Sequence, residues 1–343
     1  MLISVSVNGS LIISKKVKLL LASALLIFSS LAWGLEDEIQ AAKDSGMIDY
    51  NLGYVADAIP KLEVAAEAGD VEAMYYLGES HRITHMGMTS DALEWYLKAA
   101  EHNDPYAMLR LWSGGACVAG DECPENAEGW REKARDEQLP LAEEGDADAM
   151  LALYYIYGAL DDSDAGSAWL EKAAEAGNPE AQDRLAKMIQ DGHGFYWSEG
   201  GRLEAAETLA RGAAEQGYVP AMLTLSGIWG DKGEAEESWE WKVSAAESGM
   251  VGPMLGVAYC YLNPEKYQEL GGNECLAGQD KVKGWAILYA MVEESGNQQA
   301  ESLMERSRDL LTYDQRQKAE ALAEVEWLNH GPPLSKFPPR YGF

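Results

Sequence analysis

Apolar and small residues fall at fixed offsets from a recurring turn along most of this chain. The phrase small-Ala-Glu-x-Gly, then an acidic or Asn residue, then Ala four places after the Gly, recurs seven times. It reads AAEAGDVEA (65–73), AAEHNDPYA (99–107), LAEEGDADA (141–149), AAEAGNPEA (173–181), AAEQGYVPA (213–221), AAESGMVGP (245–253) and VEESGNQQA (292–300). With the turn residue as zero (Gly69, Asn103, Gly145, Gly177, Gly217, Gly249, Gly296), successive copies are 34, 42, 32, 40, 32 and 47 residues apart. Position −2 is always Glu, −3 is Ala in all but the last copy, and +4 is Ala in all but the sixth, where Pro253 stands. Position +8 is apolar throughout: Leu77, Leu111, Leu153, Leu185, Leu225, Val257 and Met304.

These columns predict helix pairs. Gly or Asn at zero suits the left-handed residue that ends a helix, because a Cβ disfavours that conformation. Asp70, Asp104, Asp146, Asn178 and Asn297 follow it and suit the N-cap of the next helix. Pro105 and Pro179 then fall at the first helical position. Ala at −3 and +4 lets two antiparallel helices approach closely, and +8 lies one turn beyond +4 on the same face. Position +9 is small in four copies (Gly78, Ala186, Ser226, Ala258). Units of this kind stack side by side, so the expected fold is an all-α solenoid of antiparallel helix pairs.

The copies resemble the Sel1-like repeat family, which is related to tetratricopeptide repeats. Ala92-Leu93-Glu94-Trp95-Tyr96-Leu97-Lys98-Ala99-Ala100-Glu101 and Ser167-Ala168-Trp169-Leu170-Glu171-Lys172-Ala173-Ala174-Glu175-Ala176-Gly177 carry the resemblance, which spans about residues 55 to 328. It implies a right-handed superhelix. Trp95, Trp169 and Trp241 recur at position −8 in alternate copies and are read as packing residues. Two departures predict less regular stacking: Trp112 and Tyr154 occupy the small +9 position, and the loops within the helix pairs lack the family's G-x-G-V-x-x-D phrase.

Five segments follow. Residues 1–34 are read as a signal peptide, with Lys15, Lys16 and Lys18 before the apolar run Leu19 to Phe28 and small residues at Ala32 and Gly34. The alternative, an uncleaved anchor, needs about 20 apolar residues, and this run is shorter. Residues 35–68 form an N-terminal capping helix pair, 69–311 the repeats, 312–330 a capping helix and 331–343 a Pro-rich tail. Thr312 with Gln315 fits a capping box.

Charge narrows the function. The chain has 57 acidic and 27 basic residues among 343, a net charge of −30. Loss of residues 1–34 removes three lysines and no acid, leaving −33. Phosphate recognition needs clustered Lys and Arg, so nucleic acid is excluded as a partner class, and so is strong binding to anionic membranes. The acidity reads either as a solvated surface or as a face that steers a basic partner.

Catalytic chemistry is sparse. His81 and His85 lie four apart, but Arg82 stands where a zinc protease phrase needs Glu. Asp161 to Gly166 looks like a calcium loop until Lys172 takes the place of the bidentate Glu. No nucleophile motif occurs, and no catalytic residue, metal or cofactor is expected. Cys117, Cys123, Cys260 and Cys275 sit in the two longest steps, and sequence proximity pairs them 117–123 and 260–275 in an exported chain. The 40-residue step carries Gly194-Phe195-Tyr196-Trp197 in a Gly-flanked loop. Two readings stand: the aromatics are exposed interface anchors, or Phe195 and Trp197 fold back and leave only Tyr196 exposed. Trp229 is expected beside them, in the loop after the next helix.

The resemblance implies a non-enzymatic adaptor, here read as a monomeric periplasmic scaffold of a Gram-negative bacterium that binds an envelope component or a secreted effector. Its sharper form is an immunity protein that neutralises a type VI phospholipase effector. A third reading, a β-lactam-binding or hydrolysing enzyme, belongs to a cysteine-rich branch whose regular cysteine spacing is absent here.

Overall fold

The computed structural model describes residues 36–113, 129–269, 275, 278–328 and 334. The leader therefore lies outside the described residues, as do Cys117, Cys123 and most of the tail. Among the described residues there are helices and no strands.

A first helix, α1, spans 36–51. It is followed by α2 (Val55–Glu67), α3 (Val71–Thr84), α4 (Ser90–Glu101), α5 (Pro105–Ser113), α6 (Gly129–Glu143), α7 (Ala147–Ala159), α8 (Ser163–Glu175) and α9 (Pro179–Gln190). Then come α10 (Glu199–Glu215), α11 (Val219–Asp231), α12 (Ala235–Glu247), α13 (Val251–Leu262), a short α14 (Pro264–Glu269), α15 (Lys281–Ser295), α16 (Gln298–Ser307) and α17 (Tyr313–Ala323). Each of the repeat helices packs on its neighbours in chain order, which is the solenoid the columns predict.

The local chemistry of the turns is the predicted one. All seven turn residues have positive φ, from 63° at Asn103 and Gly296 to 103° at Gly145. Asp70, Asp104, Asp146, Asn178 and Asn297 each accept a backbone N–H two or three residues on, at the start of the following helix. Thr312 and Gln315 close a capping box ahead of α17. The Ala residues at −3 and +4 are buried, so helices meet there at nearly backbone distance.

Three apolar clusters run along the array, over residues 58–156, 151–228 and 239–334. Met150 and Tyr155 pack on both of the first two and join them. Leu52, just after α1, packs on the third cluster. Leu334 is buried in that cluster, and its N–H donates to Glu294 Oε1 at 3.1 Å.

A second small column faces the +9 column and was not read from the sequence. Ala92, Ala134, Gly166, Ala206 and Ser238 stand eleven places before their turn residues and are all buried. Ser238 Oγ donates to the Ser226 carbonyl at 2.7 Å, and a Cβ on Gly166 would lie 3.0 Å from the Tyr154 carbonyl oxygen. Helices of one pair therefore touch through their backbones at this level.

Candidate functional site

Alternation of antiparallel helices sorts the connections onto two edges. On one edge the turns 68–70, 102–104, 144–146, 176–178, 216–218 and 248–250 all have three residues. On the other, the connections are 85–89, 114–128, 160–162, 191–198, 232–234 and 263–280. Apart from the two-residue turn 296–297, every length change between the described repeat helices falls on the second edge, where insertion leaves the packed helices undisturbed.

Residues 191–198 form the aromatic loop. Gly192 and Gly194 take φ of 103° and 85° and turn the chain off the end of α9. The N–H of His193 donates to the Met188 carbonyl, and Ser198 Oγ caps α10 by accepting from Gly201. Arg202 ties α10 back to the Ile189 carbonyl at 3.1 Å. Between these anchors Tyr196 is half-buried and packs on the 151–228 cluster. Phe195 and Trp197 are 79% and 95% exposed, edge to face with ring centroids 5.3 Å apart. This inverts the fold-back reading: the middle aromatic is the root, and its two neighbours stand in solvent. Phe195 and Trp197, two residues apart, share one side of the loop, and Tyr196 takes the other.

Trp229 lies in the last turn of α11, not in a loop. It is half-buried on the same cluster as Tyr196, with the Lys232 ammonium 4.5 Å from its ring centroid. It belongs to the floor beneath this edge. Trp95 and Trp169 pack on the first cluster, each under the lysine three residues on, Lys98 at 3.9 Å and Lys172 at 3.8 Å. Trp241 packs on the second, under Arg211 at 5.6 Å.

The longest connection is stapled. Cys260, fully buried on α13, is disulfide-bonded to Cys275, with the Cα atoms 5.7 Å apart. The Asp280 N–H also donates to the Tyr261 carbonyl, returning the chain to the solenoid before α15. Asp162 of the calcium-like run is the N-cap of α8, and the His81 and His85 rings stack 6.5 Å apart with His85 Nδ1 on the His81 carbonyl. No cluster of three or more metal-ligand residues occurs among the described residues.

Two of the surface hollows bear on function. A groove of about 650 Å³ between α2 and α4 is lined by Glu63, Glu67, Asp91, Glu94 and Glu101, with Lys98 the one lysine. A cavity of about 600 Å³ opens at the loop edge, lined by Trp112, Tyr154, Tyr155, Gly166, Arg184 and Met188 among others. The bulky +9 residues Trp112 and Tyr154 were read as irregular stacking; the companion signal, Gly166 opposite Tyr154, shows that the space they open is a compensated one.

No family model and no curated protein matches the chain. Solved structures do. One is c5321, a protective antigen of uropathogenic Escherichia coli strains with an SLR fold, at 20% identity and a TM-score of 0.32, covering 85% of this chain and 77% of that one. Another is a Sel1 repeat protein from Oxalobacter formigenes, at 25% identity and a TM-score of 0.34, covering 60% of this chain and 86% of that one. The repeat columns, in the helix positions they occupy, resemble those of Sel1-like repeats, and the described helices pair in chain order as an α-solenoid.

Proposed function

We propose that the protein is an exported, non-enzymatic scaffold that binds another protein of the cell envelope through its loop edge. The observation that carries this reading is the pair Phe195 and Trp197, raised into solvent on a half-buried Tyr196 root. Neither ring contributes to the solenoid core. Burial against a partner would return about 2 kcal/mol per ring. A rigid aromatic pair on an anchored loop also gives up little side-chain entropy on binding, which is how interface anchors act.

Residues 15–34 and the Cys260–Cys275 disulfide support a periplasmic location, since disulfides persist in oxidising compartments. The acid-lined groove between α2 and α4, in a chain of net charge −30, favours a basic partner and fast encounter with it. A secreted effector neutralised one-to-one is the sharper form of the same reading, which a single idiosyncratic aromatic loop suits.

The test is crosslinked capture from native-cell extract with residues 35–343 as bait, beside a Phe195→Ser/Trp197→Ser double variant. One protein held by the parent chain and lost by the variant is the expected result. A lipase-like toxin inhibited on mixing would make the partner an effector; a resident envelope component would make the protein an adaptor. Equal recovery by both baits would place the contact elsewhere.

A further inference from the structure

The cavity beside Trp112 and Tyr154 is walled mostly by aromatic and small side chains. Arg184 is its only formally charged lining residue among the described residues. The Arg184 guanidinium lies over two rings, 5.1 Å from the Tyr155 centroid and 5.6 Å from that of Tyr154. A second guanidinium, Arg131, stacks 4.8 Å from the Trp112 centroid and donates from Nη1 to the carbonyl of Ala159, another lining residue. Stacking on aromatic faces fixes both cations in place.

Arg184 is incompletely used. Its Nε is shielded from solvent and has no hydrogen-bond partner. Its nearest carboxylate, Glu180, is 3.7 Å from Nη2 and accepts instead from the Tyr155 hydroxyl at 2.8 Å. A guanidinium forms its strongest pairs as a two-pronged fork on a carboxylate, and that geometry is unfilled here.

The space has a built origin. Trp112 and Tyr154 stand where other repeats place Gly78, Ala186, Ser226 and Ala258. Gly166 brings the α8 backbone against the Tyr154 carbonyl, so the large +9 side chain has no room between the helices and lines the cavity instead. A volume of this order accommodates a small organic ligand or one terminal residue of a peptide.

We propose that this cavity is a binding site for an apolar carboxylate, with an aromatic or aliphatic group against Trp112, Tyr154 and Met188 and its carboxylate on Arg184. The ligand is either a free small acid or the C-terminal residue of a peptide, which share this chemistry. The site stands independently of the aromatic loop and of the partner it holds.

Titration calorimetry on residues 35–343 tests it, with 1-naphthoate as probe and 1-naphthalenemethanol as its uncharged counterpart. Saturable one-to-one binding is expected, at least tenfold tighter for the acid. Arg184→Gln should abolish that preference while the alcohol binds as before, and Arg184→Lys should keep part of it. Thermal melts of both variants confirm that the solenoid is intact. An acetylated tripeptide ending in phenylalanine then separates the sources: tighter binding than naphthoate, lost on C-terminal amidation, identifies a peptide terminus, and weaker binding identifies a free acid. Equal affinity for acid and alcohol, survival of the preference in Arg184→Gln, or no saturable binding into the millimolar range would overturn the proposal.

Discussion

Glu79 on α3 and Arg110 on α5 of the next repeat meet with Oε1 and Nε 2.6 Å apart, and the carboxylate is 1% exposed. Arg82 pairs with the other carboxylate oxygen at 2.7 Å, and the buried Tyr96 hydroxyl donates to Oε1 at 2.5 Å. One carboxylate thus joins three helices of adjacent repeats. Burying a charge is costly, and complete satisfaction by two guanidinia and a phenol offsets that cost. Glu79→Ala would strand both arginines and is expected to cost about 3–5 kcal/mol in urea unfolding. Glu79→Gln should cost less, because its amide oxygen still accepts. A midpoint unchanged by Glu79→Ala would show the network to be incidental.

The aromatic loop divides into parts with opposite effects on stability. Phe195→Ser/Trp197→Ser should stay within about 0.5 kcal/mol of the parent, as exposed positions do. Tyr196→Ser should cost about 2 kcal/mol by removing packing from the 151–228 cluster. Changing all three together would confuse binding with folding. Thermal melts of the two variants check this, and equal losses in both would mean that the exposed rings are core after all.

Much of the fold was legible because its determinants are local. A left-handed turn residue, a capping Asp and a following Ala are set by chemistry within five residues, so Gly69-Asp70 and Asn103-Asp104 could be placed from the sequence alone. The disulfide partner of Cys260 was legible from proximity. Long-range placements were not. Glu79 is one acid among many, and only Tyr75, Tyr76 and Arg82 around it hint at a buried network. Gly166 looks like a loop residue until its position eleven places before Gly177 is aligned with Ala92 and Ala206. Trp229 is expected in a loop, yet α11 runs on through Gly230 to Asp231. Tyr196 and its neighbours are separable only by knowing which side of the loop faces the solenoid.

Acid should weaken the contact between α10 and the 232–234 turn. Burial works to raise the Glu207 carboxyl, but Lys232 and Arg211 outweigh it and hold the group below the ordinary value of 4.5. A depressed carboxylate contributes stability that is complete above the unfolded value and is lost as pH falls through the folded one. Glu207→Gln should therefore be less stable than the parent at pH 7, with the difference shrinking from about pH 4.5 downward. Urea midpoints between pH 7 and pH 3 measure this; a constant difference would remove the electrostatic account.

Reduction should loosen the last repeats. Cys260 and Cys275 are 15 residues apart, and a loop of that length is stabilised by about 3 kcal/mol when closed. Urea unfolding with and without dithiothreitol should differ by about this amount. Peptide mapping of the unreduced protein should recover the 260–275 link and, by the same reasoning from proximity, a 117–123 link. Free thiols throughout would also weaken the case for export.

The central claim is that the loop edge, through Phe195 and Trp197, holds a partner protein. Its most direct test is the affinity of the captured partner for the parent chain and for Phe195→Ser/Trp197→Ser, with melting temperature measured on the same samples. At least a tenfold loss of affinity at an unchanged melting temperature is predicted. Unchanged affinity, or a loss that tracks a fall in melting temperature, would contradict it.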